Sequence, residues 1–163
     1  MHLFIANTKS IIVAYLDNYK GREISFASVV PSIPSRLKYF STIQYDNRVM
    51  LTGGITQKYE NPEDPVWSPV YDQTHEESYE FNVKYGRLNQ MALMKDKRAK
   101  HCLVILEDYQ NVFNKLILAI GGVNITYKND PYQKTTKQIY HDLASVEFYS
   151  LEDKKWDRYN ARL

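Results

Sequence analysis

The chain has 163 residues, a formal net charge of +2, 14 tyrosines and a single cysteine. So small a charge, with lysine and arginine not gathered into one stripe, argues against nucleic acid as a partner, and one cysteine excludes an internal disulfide. Since no apolar run can span a bilayer or follows a basic leader, and the cysteine content suits a reducing compartment, we expect a cytoplasmic protein with no membrane partner.

The first thirty residues predict a β-hairpin. An apolar stretch at 11–16 and a second strand at 22–29 flank the polar segment 17–21, which ends in glycine. Two short strands on either side of such a segment are typical of an antiparallel pair. We expect residues 1–30 to form the outer hairpin of an incomplete structural unit.

The segment 31–95 contains a short apolar run that ends in two glycines. Residues 49–52 lead into Gly53-Gly54. A run this short indicates a strand buried on both faces, and paired glycines indicate a sharp turn, a positive φ or a close backbone approach. A later hairpin is predicted to carry Phe81 on one strand and Leu88 on the other.

The segment 96–163 repeats these landmarks 68 residues further along the chain. The apolar run 116–120 ends in Gly121-Gly122, and a hairpin with Tyr149 and Trp156 follows at the same distances as in the first copy. A fixed internal period of this size indicates an array of similar supersecondary units.

These landmarks resemble the kelch repeats, which form β-propellers. A kelch blade has apolar residues leading into a double glycine, then an aromatic residue and a tryptophan with six residues between them, and often a basic residue at its start. Arg98 is that basic residue in the second copy and Arg36 in the first. The first copy departs from the pattern because Phe81 replaces the tyrosine and Leu88 the tryptophan.

The resemblance implies an all-β fold, a partial kelch-type β-propeller of four-stranded antiparallel blades with about ten strands. Residues 1–30 would supply the outer hairpin of an incomplete blade, 31–95 a first full blade and 96–163 a second. Because propellers usually close with 4 to 8 blades, the missing blades would come from flanking sequence or another chain. A small independent β-sandwich with an accidental repeat is the alternative.

Two long segments, 55–78 and 123–144, make this repeat longer than the kelch unit of about 50 residues. Long loops on a rigid scaffold tend to carry binding residues, and the resemblance implies that they share one rim with the segments that enter each blade. Arginine and aromatic side chains are enriched where proteins bind each other. The predicted partner-binding residues are therefore Arg36, Trp67, Tyr71, Arg98, His101, Tyr127 and Tyr132. The structural alternative is that Trp67 packs its own loop and Arg98 links neighbouring blades.

Catalysis has little support in the sequence. The four histidines lack metal-ligand spacing, and neither a nucleophile elbow nor a phosphate-binding glycine loop occurs. Cys102 lies in an apolar strand, where we expect a buried, unreactive thiol. We therefore expect no catalytic residues, cofactor or metal, and a protein–protein interaction module of the scaffold or substrate-adaptor kind. The resemblance leaves one alternative, a fragment of a propeller enzyme of the copper radical oxidase or sugar-processing type.

Overall fold

The computed structural model describes residues 2–6, 11–15, 26–29, 37–59, 70–82, 85, 87–108, 111–130 and 135–159. Every regular element in these residues is a strand, and among them no helix is long and apolar enough to cross a membrane. The predicted all-β class, with four-stranded antiparallel sheets, is thus confirmed. The strand count is higher than predicted, with fifteen strands described instead of about ten.

Sheet I lies at the start of the chain and has three antiparallel strands, β1 (His2–Ala6), β2 (Ile11–Tyr15) and β3 (Phe26–Val29). The hairpin predicted within residues 1–30 is present as β2 and β3, with Ile11 opposite Val29. The additional strand β1 pairs along its whole length with β2. Strand β1 was not predicted, because the short apolar run at 3–6 carries too little pattern to be assigned alone.

Sheets II and III are four-stranded and have the same construction. Sheet II consists of β4 (Ser41–Tyr45), β5 (Arg48–Thr52), β8 (Ser78–Asn82) and β9 (Arg87–Gln90), in that spatial order. Sheet III consists of β10 (Cys102–Asp108), β11 (Asn111–Ile120), β14 (Val146–Ser150) and β15 (Lys155–Tyr159), in the same order. All neighbours in both sheets are antiparallel.

A two-stranded hairpin is inserted between the second and third strands of each sheet. The first hairpin is β6 (Ile55–Tyr59) with β7 (Val70–Thr74), and the second is β12 (Val123–Asp130) with β13 (Thr135–Asp142). The segments expected to be long loops therefore each contain a pair of strands. Their polar, tyrosine-rich sequences lack an apolar run because each hairpin contributes one residue, Ile55 or Ile125, to a small buried cluster, so sequence pattern did not reveal them.

The structure corrects the residue equivalence at the entry to each sheet. Isolated bridges join Lys38 to Ile55 and Ala99 to Val123. Lys38 and Ala99 are therefore equivalent, and the two entry segments are offset by 61 residues, one fewer than the pairing of Arg36 with Arg98 implied. The equivalent of Arg98 is consequently Leu37, which is buried, and not Arg36. The expectation that Arg36 is the basic start of the first unit was wrong.

Both glycine pairs turn the chain from a sheet into its hairpin. The φ angles are +61° and +112° at Gly53 and Gly54, and +65° and +97° at Gly121 and Gly122. Residues with a Cβ rarely adopt these angles, which confirms the positive φ expected from the sequence. A Cβ on Gly53 would also lie 2.1 Å from the carbonyl oxygen of Arg98.

The main core lies between sheets II and III. Tyr45 and Met50 of sheet II pack with Ile117, Tyr149 and Trp156 of sheet III. The indole Nε1 of Trp156 donates a hydrogen bond of 3.0 Å to Oγ of Ser78, which ties the last strand of sheet III to the third strand of sheet II. The sequence prediction that Tyr149, Trp156 and Phe81 belong to the core is confirmed.

Candidate protein-binding site

The seven predicted partner-binding residues fall into three groups. Arg36, Trp67 and Tyr132 lie outside the described residues. Arg98 and His101 are buried, and Tyr71 and Tyr127 meet where the two hairpins pack. The predicted set therefore does not form one surface in the part of the chain that the structure describes.

Arg98 links the segment between the two sheets to sheet III. Its side chain is 0% exposed, and Nη2 lies 2.5 Å from Oε1 of the equally buried Glu147. Nη1 donates to the carbonyl oxygens of Gly121 at 2.9 Å and Ser145 at 3.3 Å. Glu147 also accepts the backbone N–H of Lys95 and, at 2.9 Å, that of Asp96. The Arg98 side chain is therefore structural, but it closes its own unit and does not bond to the neighbouring sheet. A partner could reach the guanidinium only by displacing these bonds.

His101 is buried beside the first glycine pair. Its Nε2 lies 2.7 Å from Oγ1 of Thr52, and its carbonyl oxygen accepts a hydrogen bond from Ser41 Oγ. Burial, and to a smaller degree the positive charge of Arg98, lower the pKa of His101 from 6.5 to about 3. Nδ1 has no hydrogen-bond partner among the described residues, which also disfavours the doubly protonated ring. His101 therefore joins two sheets as a neutral side chain.

The two hairpins are held side by side through Thr74. Its Oγ1 donates to Oδ1 of Asn124 at 2.7 Å and accepts the backbone N–H of Ile125 at 3.3 Å. Thr74 and Ile125 are both buried. These bonds fix β7 of the first hairpin against β12 of the second, so the residues that follow on each strand have defined relative positions.

A group of tyrosines lies beyond this junction. The rings of Tyr71 and Tyr127 meet edge to face, with centroids 5.6 Å apart and an interplanar angle of 88°. Tyr140 Oη lies 3.4 Å from Oδ2 of Asp72 and 3.2 Å from Oε1 of Gln138. Tyr127 is 40% exposed and Tyr140 56%. We call Tyr71, Asp72, Tyr127 and Tyr140 the tyrosine patch.

The members of the tyrosine patch lie close enough together to raise the pKa values of its phenols. Partial burial, the Asp72 carboxylate and the neighbouring Tyr140 and Tyr71 hydroxyls raise the pKa of Tyr127. The pKa of Tyr140 is raised by the same kind of desolvation and by Asp72. Both phenols consequently stay neutral at physiological pH and act as hydrogen-bonding, aromatic surfaces.

Asp72 and Tyr140 were not among the predicted site residues, although both lie in the long segments. The strand pairing of the second hairpin relates Tyr140 to Tyr127, since Ile125 is opposite Tyr140 and Tyr127 is opposite Gln138. Because alternate residues of a strand share one face, this register places Tyr127 and Tyr140 on the same side of the hairpin. Because this segment was predicted to be a loop, the shared face of Tyr127 and Tyr140 could not be deduced from the sequence.

A second concave region lies beside the core. A cleft of about 360 Å³ is lined by residues of both sheets, among them Arg48, Glu80, Tyr149 and Lys154. Its carboxylate, Glu80, already accepts hydrogen bonds from the Tyr45 hydroxyl and, at 3.0 Å, from Arg48. A polar ligand would have to compete with these bonds, so the tyrosine patch is the better candidate.

Cys102 is exposed, in contrast to the buried thiol expected from its strand. It occupies the start of β10, opposite Ile120, on a face of sheet III that is only partly covered. In the described part of the chain, no three histidine, cysteine or acidic side chains are grouped closely enough to hold a metal ion.

No protein-family model and no curated protein matches the chain. Among solved structures, the chain is similar to that of YjhT, with a TM-score of 0.58 and 10% sequence identity, over 93% of this chain and 44% of that one. The chain thus spans less than half the length of YjhT. At this identity the likeness concerns the fold alone, and it agrees with a propeller-like arrangement of sheets that the described residues do not close.

Proposed function

We propose that this chain is a non-catalytic protein-binding module, built as part of a kelch-type β-propeller in which sheets II and III are blades. The observation that carries the proposal is the tyrosine patch on two hairpins that project from successive sheets. The hairpins are joined by the buried Thr74, so the patch is ordered before a partner arrives. Pre-ordered tyrosines bind with a small loss of rotamer freedom. The single cysteine is our reason for placing the module in the cytoplasm.

The outer face of sheet III supports the propeller part of the proposal. Ile43 and Met50 are paired on the face of sheet II that packs against sheet III. Their equivalents in sheet III are Val104 and Leu118, which are paired in the same way on the face turned from the core. Val104 is 36% exposed and its neighbour Leu106 is 48% exposed.

Because this outer face repeats an interface that the chain already forms, we propose that its occupant is a further four-stranded sheet of the same kind. In the purified chain, sheet III of a second copy would cover this face, because Val49 and Phe81 on the matching face of sheet II are already buried. Light scattering should then give a mass above the 19.2 kDa of one chain, and Val104→Lys with Leu106→Lys should restore the monomer. A wild-type chain that stays monomeric at every concentration tested would contradict this assignment.

Partner binding by the tyrosine patch is tested in two steps. A photoreactive phenylalanine analogue at Tyr140 is used to crosslink neighbours in a cell extract, with the same analogue at Tyr159 as a control. Tyr159 is 57% exposed, close to the value for Tyr140, but lies on β15 of sheet III. A protein captured only from Tyr140 is then purified, and its affinity for the chain is measured directly.

The decisive measurement is the effect of Tyr127→Ser on that affinity. A central aromatic contact contributes about 2 kcal/mol or more, so we expect at least a 30-fold loss. Tyr159→Ser should leave the affinity unchanged, and circular dichroism should show both variants folded. Equal affinities for wild type and Tyr127→Ser would refute the proposed binding surface.

A further inference from the structure

We infer that the tyrosine patch binds an organic cation, the guanidinium of an arginine or the methylated ammonium of a lysine, presented by the partner. This inference rests on the proposed function, since it names the chemistry that the same surface recognises. The ligand class follows from the combination of aromatic rings, a carboxylate that no described lysine or arginine pairs with, and the placement of the nearby described lysines.

The aromatic part of the patch suits a positive charge. The faces of phenol rings carry negative electrostatic potential, and a cation within about 6 Å of a ring centroid is attracted to them. Tyr71 and Tyr127 stand perpendicular to each other, so their surfaces line two sides of one region. Tyr140 lies on the same side of the second hairpin as Tyr127 and contributes the most exposed ring of the patch.

The carboxylate of Asp72 makes the patch selective for charge. It contacts the Tyr140 hydroxyl at 3.4 Å, and no lysine or arginine among the described residues forms an ion pair with it. A carboxylate that contacts the Tyr140 phenol and lies near that of Tyr127, in a partly desolvated region, attracts a cation more strongly than a fully hydrated one. A neutral apolar ligand would gain nothing from Asp72.

The described lysines of the second hairpin do not fill this position. Lys128 and Lys137 are directly opposite each other in the pairing of β12 with β13. Each is adjacent in sequence to a residue of the tyrosine face, Tyr127 and Gln138, so alternation along the strand directs both lysines to the other face. The reverse side of the second hairpin is therefore basic, and neither of these two lysines neutralises Asp72. Lys58 of the first hairpin lies opposite Tyr71, and it forms no ion pair with Asp72 among the described residues.

The chain already contains one contact of the proposed type elsewhere. Nζ of Lys100 lies 4.8 Å from the ring centroid of Tyr39, itself 57% exposed. A guanidinium or methylated ammonium is less strongly hydrated than the ammonium of lysine and loses less on leaving water. We therefore expect arginine and trimethyl-lysine to bind better than unmodified lysine.

The test uses the purified chain, labelled with ¹³C on its tyrosine rings, and three blocked amino acids followed by NMR. N-acetyl-arginine methylamide and N-acetyl-trimethyl-lysine methylamide should shift the signals of Tyr127 and Tyr140 at millimolar concentrations. The neutral analogue N-acetyl-norleucine methylamide should not. The two cationic probes distinguish the sources, since the one with the lower Kd identifies the side chain that the partner presents.

Two variants examine the contributions of charge and ring separately. Asp72→Asn should weaken binding of the cations by about 5-fold or more, and Tyr140→Phe should bind within about 2-fold of wild type because the ring remains. Asp157→Asn, which removes an exposed carboxylate of β15, should have no effect. Equal shifts with norleucine, or no response to Asp72→Asn, would overturn the inference.

The test of cation binding can fail without contradicting the proposed protein-binding function. If Tyr127→Ser abolishes partner binding but no cationic probe shifts the patch signals, the module binds its partner by other chemistry and the inference fails alone. If the probes bind and Asp72→Asn also weakens the partner complex, both are supported.

Discussion

The buried ion pair of Arg98 and Glu147 gives the most direct test of how this fold is held together. Glu147→Gln preserves the size of the side chain but removes its charge. The variant leaves the guanidinium, which is 0% exposed, without its partner at 2.5 Å. Removing one member of a buried pair typically costs about 3–5 kcal/mol of unfolding free energy. Asp96, whose carboxylate lies 3.6 Å from Arg98, remains, so we expect a value near 3 kcal/mol.

Urea unfolding followed by circular dichroism measures this loss. Asp157→Asn is the matched control, since it removes a carboxylate from an exposed ion pair with Lys155 at 3.5 Å. Exposed pairs contribute about 0–1 kcal/mol, so the control should unfold close to the wild-type midpoint. If Glu147→Gln does not fold, Glu147→Asp keeps the charge and should retain measurable stability. A loss under about 1 kcal/mol in Glu147→Gln would show that Arg98 does not depend on this partner.

Three further predictions concern the glycine pairs, the core and pH. Gly53→Ala should destabilise the chain far more than Gly121→Ala, although the φ angles of the two glycines are similar, +61° and +65°. The reason is that the added Cβ would lie 2.1 Å from a backbone oxygen at Gly53 and 3.5 Å from one at Gly121. Equal urea midpoints for the two variants would contradict this. Trp156→Phe should lower the unfolding free energy by about 2–4 kcal/mol and leave the buried Ser78 hydroxyl without its donor. Adding Ser78→Ala to this variant should restore about 1 kcal/mol, because the unpaired hydroxyl is removed. If chemical denaturation shows no recovery, the hydrogen bond does not have this role. Because the pKa of His101 is lowered to about 3 in the folded state, its contribution to stability is complete above pH 6.5 and declines by about 1.4 kcal/mol per unit as pH falls toward 3. His101→Asn should reduce this slope, and an unchanged slope in pH-dependent melts would refute the assignment.

The sequence was sufficient to locate the strands that form the core. Strands β5 and β11 each combine a short apolar run with a glycine pair whose φ angles exclude most other residues, so the pattern and the backbone requirement coincide. Tyr149 and Trp156 are large enough that burial is their expected state. These features depend on neighbours close in the chain, which is why they could be read without a structure.

The hairpins and the entry register depend on distant contacts and could not be predicted in the same way. Strands β6, β7, β12 and β13 are stabilised by pairing with each other and by the junction at Thr74, not by a buried run. The shift from Arg36 to Leu37 follows from single bridges, formed by Lys38 and Ala99, that have no sequence signature. A one-residue difference in the connection was enough to misassign the equivalent of Arg98.

The candidate site was only half predictable, because residue type identified suitable side chains but not their exposure. Arginine and histidine are frequent in binding surfaces, yet Arg98 and His101 are buried by contacts 21 to 60 residues away in sequence. Tyr71 and Tyr127 lie near one another, and the register of the second hairpin adds Tyr140 to them.

A comparison of the two four-stranded sheets explains why Arg98 is so fully enclosed. The position of Arg98 is occupied in sheet II by Leu37, and that of Glu147 by Tyr79, and all four side chains are buried. One copy thus has two apolar or aromatic residues where the other has two opposite charges. Either combination avoids an unpaired charge in the interior, whereas exchanging one member alone would create it. Because the residues at both positions differ together between the two copies, we infer that the two positions act as a pair that holds the entry segment against its sheet. The proposed binding surface lies instead on the hairpins, where the side chains of the two copies can differ without disturbing this closure.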